Sequence, residues 1–148
     1  MAAYNKFSVF VEDLVNKTHD LFGTSAADLV KVALARETDP PVATDTILTD
    51  ITQPTGTGYT TGGEDTQNDG TRSGGTFTLM GTKVVWTAGA ANWLSFQYVI
   101  LYNDTPVSPV DPLIGWWDYG TPLTLGNGET FTVKFNGGDP TGSILTIA

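Results

Sequence analysis

Residues 93–120 read WLSFQYVILYNDTPVSPVDPLIGWWDYG, and the alternation of apolar and polar positions there sets the frame for the rest of the chain. At period two, Leu94, Phe96, Tyr98, Ile100 and Tyr102 share one face of a strand, and Ser95, Gln97, Val99, Leu101 and Asn103 share the other. One face fully apolar and one half-apolar predict a strand near the middle of a sheet. Asn103, Asp104, Thr105 and Pro106 supply turn chemistry, and Pro106, Pro109 and Pro112 exclude regular pairing across the connection. Residues 113–119 then form a second strand, reached either by a long hairpin loop or by a crossing between two sheets. Neighbours on a strand point to opposite faces, so Trp116 and Trp117 cannot both enter one core.

The N-terminal pattern has a different period. Tyr4, Phe7, Phe10, Val11, Leu14, Val15, Thr18, Leu21 and Phe22 recur at three- and four-residue spacing, which predicts one amphipathic helix over about residues 5–22. Asn5 suits its N-cap and Gly23 its C-terminal stop. The stripe either covers the chain's own sheet or docks on a neighbouring subunit.

From Leu29 the period returns to two. Val30, Val32 and Leu34 alternate with Lys31, Ala33 and Ala35 in a half-buried strand ended by Asp39, Pro40 and Pro41. Ile47, Leu48 and Ile51 suggest a short edge segment. Residues 53–75 are dominated by Thr, Gly, Asp and Asn, so they form either a long functional loop or short strands with little side-chain mass. Phe77 and Leu79, then Val84 and Trp86 beyond Gly81, make one kinked strand or two. The GNGE turn at residues 126–129 introduces Phe131, Val133 and Phe135, and residues 144–147 close the chain. Seven to nine strands after one helix, spaced at roughly ten residues, predict a mainly β fold: an antiparallel β-sandwich, with a jelly roll the preferred version.

Composition narrows the chemistry. At 148 residues the chain is most simply a single domain over residues 1–148. It has no cysteine, which removes disulfides and thiolate chemistry. The N-terminal residues do not read as a secretory signal and no run is long enough to span a bilayer, so a soluble protein with no membrane partner is expected. Seven Lys and Arg against sixteen Asp and Glu give a net charge of −9 without a basic cluster. A polyanion binder needs such a cluster, so no nucleic-acid partner is expected.

Catalytic constellations are sparse. His19 has no serine or cysteine partner in a recognisable motif. Asp104, Asp111 and Asp118 flank the aromatic strands, where a pair of carboxylates beside aromatic platforms would suit glycoside hydrolysis. All three stand at strand ends or turns, where Asp bonds locally. Asp65, Gln67 and Asp69 before Gly70 resemble part of a calcium loop, but the twelfth position, which needs a bidentate acid, is Thr76. We therefore expect no catalytic, cofactor or metal site, and no enzyme. The paired Trp and the helix stripe instead suggest a docking surface, with Phe7, Phe10, Leu14, Trp116 and Trp117 as candidate partner-binding residues.

The succession FVEDLVNKTHDL, LVKVALA, TFTL, FQYVILYNDT, LIGWWDYG and LGNGETFTVKFN, with a terminal ILTIA, resembles a recurring kind of small virion protein of tailed bacteriophages. The resemblance spans nearly the whole chain, and its most specific pieces are residues 98–105, 113–120 and 128–135. Proteins that it resembles include capsid cement, or decoration, proteins with a jelly-roll fold. It implies a structural protein on the outer surface of an assembled shell, made in the host cytoplasm, with the major capsid protein and further copies of itself, as a homodimer or homotrimer, as partners. The alternative is a tail-fibre or receptor-binding module that binds carbohydrate in a groove lined by Trp93, Tyr102 or Trp116.

Overall fold

A computed structural model describes residues 2–22 and 28–148. The fold is mainly β, with antiparallel sheets and one helix. In chain order the elements are β1 (Tyr4–Lys6), α1 (Val9–Val15), β2 (Val30–Ala35), β3 (Glu64–Asp65), β4 (Asp69–Ser73), β5 (Thr76–Thr82), β6 (Val84–Thr87), β7 (Phe96–Asn103), β8 (Leu113–Leu123), β9 (Thr130–Val133) and β10 (Thr141–Ile147). Five strands form one sheet in the order β1-β8-β7-β2-β3, three form β10-β5-β4, and two form β6-β9.

The large sheet is buried on both faces, because β2 and β7 carry apolar residues at successive positions. Val30, Val32 and Leu34 point into a first core with Val99, Leu101 and Ile114, where Leu79, Trp86 and Ile144 of the smaller sheets meet them. Ala33 and Ala35 point the other way, with Ile100, Tyr102 and Leu113, into a second core roofed by Leu48 and Ile51. Alanine on that face is what lets the roof approach. Arg36 N–H donates to Thr52 O (2.9 Å), and Leu113 N–H to Thr46 O (3.0 Å), pinning the segment down. β2 is thus buried on both sides and not half-buried.

As expected, β7 sits in the middle of its sheet, between β8 and β2, and the connection to β8 is a hairpin. Two irregularities shift the faces assigned by strict alternation. Leu101 pairs with Gly115 and Tyr102 with Leu113, so Ile114 is the extra residue of a bulge. Phe96 pairs with Leu123 and Tyr98 with Asp118, so four residues of β8 stand opposite Gln97 alone and bow out to solvent. Phe96 accordingly joins Val99 and Leu101 in the first core, away from Ile100 and Tyr102. The break after β5 falls at Lys83, and β5 and β6 are separate strands in separate sheets. Residues 47–51 form a single 3-10 turn, not an edge strand. Asp50 Oδ2 accepts from Thr46 N–H (2.9 Å) and Ile47 N–H (3.1 Å), and these bonds hold its carboxyl below the usual range.

The helix is much shorter than its stripe. Tyr4–Lys6 pairs with β8 instead of coiling, because Gly115 opposite Lys6 leaves room for the Tyr4 ring; a Cβ there would fall onto that ring and Asn5 O. At the other end, Lys17 turns left-handed at φ 61°, and Thr18 N–H donates to Asp13 O (2.8 Å). Within α1 the stripe is also rotated: Val11 and Val15 are 47% and 77% exposed, whereas Asp13 is buried. The proposed stop at Gly23 lies outside the described residues. Residues 53–75 resolve into β3, β4 and turns. Thr66, fully buried, donates both its N–H and its hydroxyl to Val30 O, and the Tyr59 hydroxyl takes the Leu34 N–H (3.0 Å) and donates to Gln53 Oε1 (2.7 Å).

Candidate interaction site

The side of the molecule away from β3 and β4 is left open. β1 ends the large sheet there and β10 ends the three-stranded sheet, and neither has a second strand neighbour among the described residues. Between β1 on one side and β10 with residues 131–136 on the other run two apolar recesses, of about 310 and 390 Å³, both lined by Tyr4. The first is lined by Tyr4, Trp117, Phe131, Lys134, Phe135 and Ile144. The second is lined by Tyr4, Lys6, Phe10, Leu14, Leu145 and Ile147. Tyr4 lies 5.4 Å from Trp117, ring to ring, and its hydroxyl donates to Ile114 O (3.3 Å); burial of that end pushes its pKa up to about 12.

Of the residues singled out from sequence, Trp117 lines the first recess, and Leu14 and Phe10 the second. Trp116 is on the opposite face, against Phe7 at 4.5 Å and half-buried. Phe7 is fully buried in the second core, and Phe10 in the first at 3% exposure, so Phe7 has no free surface and Phe10 contributes only a buried wall. Alternation correctly separates the two Trp side chains. It does not reveal Tyr4, Phe135 or Ile144 as groove residues, because that requires knowing which strands end their sheets.

A second, polar cleft of about 560 Å³ lies at the far end of β2 and β7. Lys31 Nζ bonds Asp104 Oδ2 at 2.9 Å, and the Tyr102 hydroxyl donates to Gly62 O at 2.6 Å. Burial, and then the Asp104 charge, raise the Asp111 carboxyl above its usual range. Asp118 is elsewhere, exposed, accepting from Gln97 Nε2 (2.9 Å) and Gly120 N–H (2.7 Å). Trp93 is buried with its Nε1–H donating to Thr57 O, and the Tyr102 ring is 1% exposed, so no aromatic face is offered to a sugar in this cleft. Among the described residues no group of three or more His, Cys, Asp or Glu is arranged to hold a metal ion, and Asp65 instead accepts from Gln67 N–H (2.7 Å).

His19 is the centre of a third cluster. Its side chain is fully enclosed, 5.3 Å from the Phe10 ring. Asn103 Nδ2 approaches Nδ1 at 3.0 Å and also donates to Asp28 Oδ2, while Asn103 Oδ1 accepts from Thr105 N–H. An amide nitrogen only donates, so Nδ1 is the acceptor and the imidazole proton sits on Nε2. Nε2 faces Asp13 Oδ2 at 3.9 Å, beyond hydrogen-bond range, and neither atom has another partner. Burial pushes the His19 pKa below its usual range, against the opposing pull of the Asp13 and Asp28 carboxylates.

No known family, curated protein or solved structure matches this chain. No helix among the described residues is long and apolar enough to cross a membrane.

Proposed function

We propose that the chain is a non-catalytic structural protein of a tailed-bacteriophage virion, a capsid decoration protein that binds the outer surface of the assembled shell and stabilises contacts between major capsid proteins. In this reading the three sheets make up a β-sandwich of the jelly-roll kind, and the protein acts as a homodimer or homotrimer on the shell. The observation that carries the reading is the open groove between β1 and β10: two neighbouring apolar recesses walled by Tyr4, Trp117 and Phe135 suit another protein chain better than a small polar substrate. Three of the segments that resemble virion proteins fall on β7, β8 and β9, and the last two of these strands supply Trp117 and Phe131 to the groove. A net charge of −9 favours solubility before assembly and disfavours contact with packaged DNA. A protein that binds only the assembled shell stabilises it by mass action, so many weakly bound copies suffice.

The alternative, a carbohydrate-binding module of a tail fibre, would draw on the cleft beside Tyr102, which offers polar groups without a stacking face. Co-sedimentation of the purified protein with empty mature capsids and with separated tails of its phage distinguishes the two. Saturable binding to capsids at a copy number matching a symmetry site is expected. Binding to tails alone, or to neither, would overturn the decoration reading.

A further inference from the structure

We infer that the groove between β1 and β10 receives an extended segment of a neighbouring protein as an added β-strand, apolar at alternate positions and carrying acidic side chains. The inference deepens the docking role proposed above and rests on it for the identity of the neighbour.

The backbone geometry supplies the first part of the argument. Phe7 N–H donates to Ile114 O at 3.2 Å, toward β8. Along an antiparallel strand these groups alternate, so Asn5 also faces β8, while Tyr4 and Lys6 turn their N–H and C=O away from β8. That outer edge is unpaired among the described residues, and an unpaired edge is a template for another strand. On the opposite lip, β10 exchanges two bonds with Asn136 through Ser143, and residues 144–147 beyond it have only β5 as a strand neighbour.

Side-chain spacing supplies the second. Tyr4 and Lys6 are alternate residues of β1, and Ala2 lies two residues before them; Ala2 and Tyr4 border the first recess, Tyr4 and Lys6 the second. Alternate side chains of a strand are about 6.8 Å apart. A strand laid along β1 would therefore present alternate apolar side chains to one recess and then the next, on either side of the Tyr4 ring.

Charge fixes the third. Lys6 and Lys134 line the recesses, whereas none of the sixteen Asp and Glu residues does, in a chain with only seven cationic side chains. Lys134 is committed to Asp139, which it and Lys83 hold at a pKa of about 2. Lys6 makes no ion pair among the described residues. Lys6 is thus the unpaired cation the groove offers, and it favours an acidic strand over a basic one.

The test uses the full chain and three synthetic peptides of eleven residues. One alternates Val and Thr between terminal Glu pairs, one has the same composition with its Val residues clustered, and one keeps the alternation but replaces Glu by Lys. Amide hydrogen exchange followed by NMR is the readout. The alternating acidic peptide is expected to slow exchange at Tyr4 and Lys6 by at least about tenfold at saturation, since exchange then waits for the added strand to leave. The clustered and basic peptides should bind at least about fivefold more weakly. Lys6→Pro, which removes an outward N–H and no bond to β8, should abolish the protection at Tyr4 while leaving the rest of the exchange pattern unchanged. Equal binding of all three peptides, or none at millimolar concentration, would overturn the inference. Protection of Tyr4 and Lys6 that appears without peptide and grows with protein concentration would also overturn it, by making a second copy the occupant. Because no capsid is present, a negative result here leaves capsid binding standing, and absent capsid binding leaves the groove result standing.

Discussion

Trp116 and Trp117 are adjacent on β8 and meet opposite surroundings. Trp116 lies over Phe7 on a face that the chain closes for itself, with Leu48 and Ile51 as the roof. Trp117 lies beside Tyr4 and Phe135 at a groove the chain leaves open. The strand is the same, so the difference comes from what the connections do. Residues 36–54 return across the second face, close on themselves through Arg36 and Thr52 and bond to β8 at Leu113, whereas on the first side the two outermost strands, β1 and β10, stand apart with a trough between them. An exposed aromatic in a strand pattern therefore marks a docking surface only where no connection comes back to cover it.

The comparison breaks most sharply at Phe7. Its side chain is fully buried beneath Trp116, so Phe7→Ala leaves a closed cavity and should cost about 3–5 kcal/mol. Urea unfolding followed by Trp fluorescence measures this. A cost under about 1 kcal/mol would mean that the second face is not a sealed core. Trp117→Ala should cost less, about 1–2 kcal/mol, because the space it vacates joins a groove already open to water and no sealed void forms. A loss as large as that of Phe7→Ala would show that the groove is closed in solution.

The same contrast explains what was legible in the sequence. Period-two alternation found β2 and the strands from β5 to β10, because each has one strongly apolar face. It placed β7 centrally for the right reason. It misassigned Phe96, since a bulge is a local slip of one residue or more that leaves the alternation of letters intact. It could not separate α1 from its flanks. Tyr4, Phe7 and Phe10 keep helical spacing while Tyr4–Lys6 is extended, and only the glycine on the partner strand decides for the strand. Leu48 and Ile51 read as an edge strand because a 3-10 turn that roofs a core needs the same two apolar residues. Of the candidate site, Trp117, Leu14 and Phe10 were legible. Tyr4 shares the helical spacing of the stripe, and the groove's other walls depend on sheet order, which no local pattern encodes.

The two closures also differ in chemistry, and pH separates them. Above α1 the first side is sealed by His19, Asp13, Asp28 and Asn103, whereas the second face is roofed by Leu48 and Ile51. Burial lowers the folded-state pKa of His19, so as pH falls below its unfolded value of about 6.5 the unfolded chain takes up the proton first. The stability that a neutral, buried His19 contributes is therefore complete above that value and is lost as pH falls toward the folded pKa, with a slope of at most about 1.4 kcal/mol per pH unit. Asp13 and Asp28, the charged groups facing the ring, shrink the window by favouring the imidazolium. Asp111 has the opposite sign: its raised carboxyl pKa makes the fold relatively more stable as pH falls through the acid range, and it does so equally with or without His19. Urea midpoints at pH 7.5 and 5.5 for the parent protein and for His19→Gln isolate the term. The parent should lose stability across this interval and His19→Gln should lose distinctly less, with Phe7→Ala keeping the parent's slope on a lower baseline. Equal slopes in the parent and His19→Gln would show that the imidazole is solvated and that the first side, like the groove beside it, stands open.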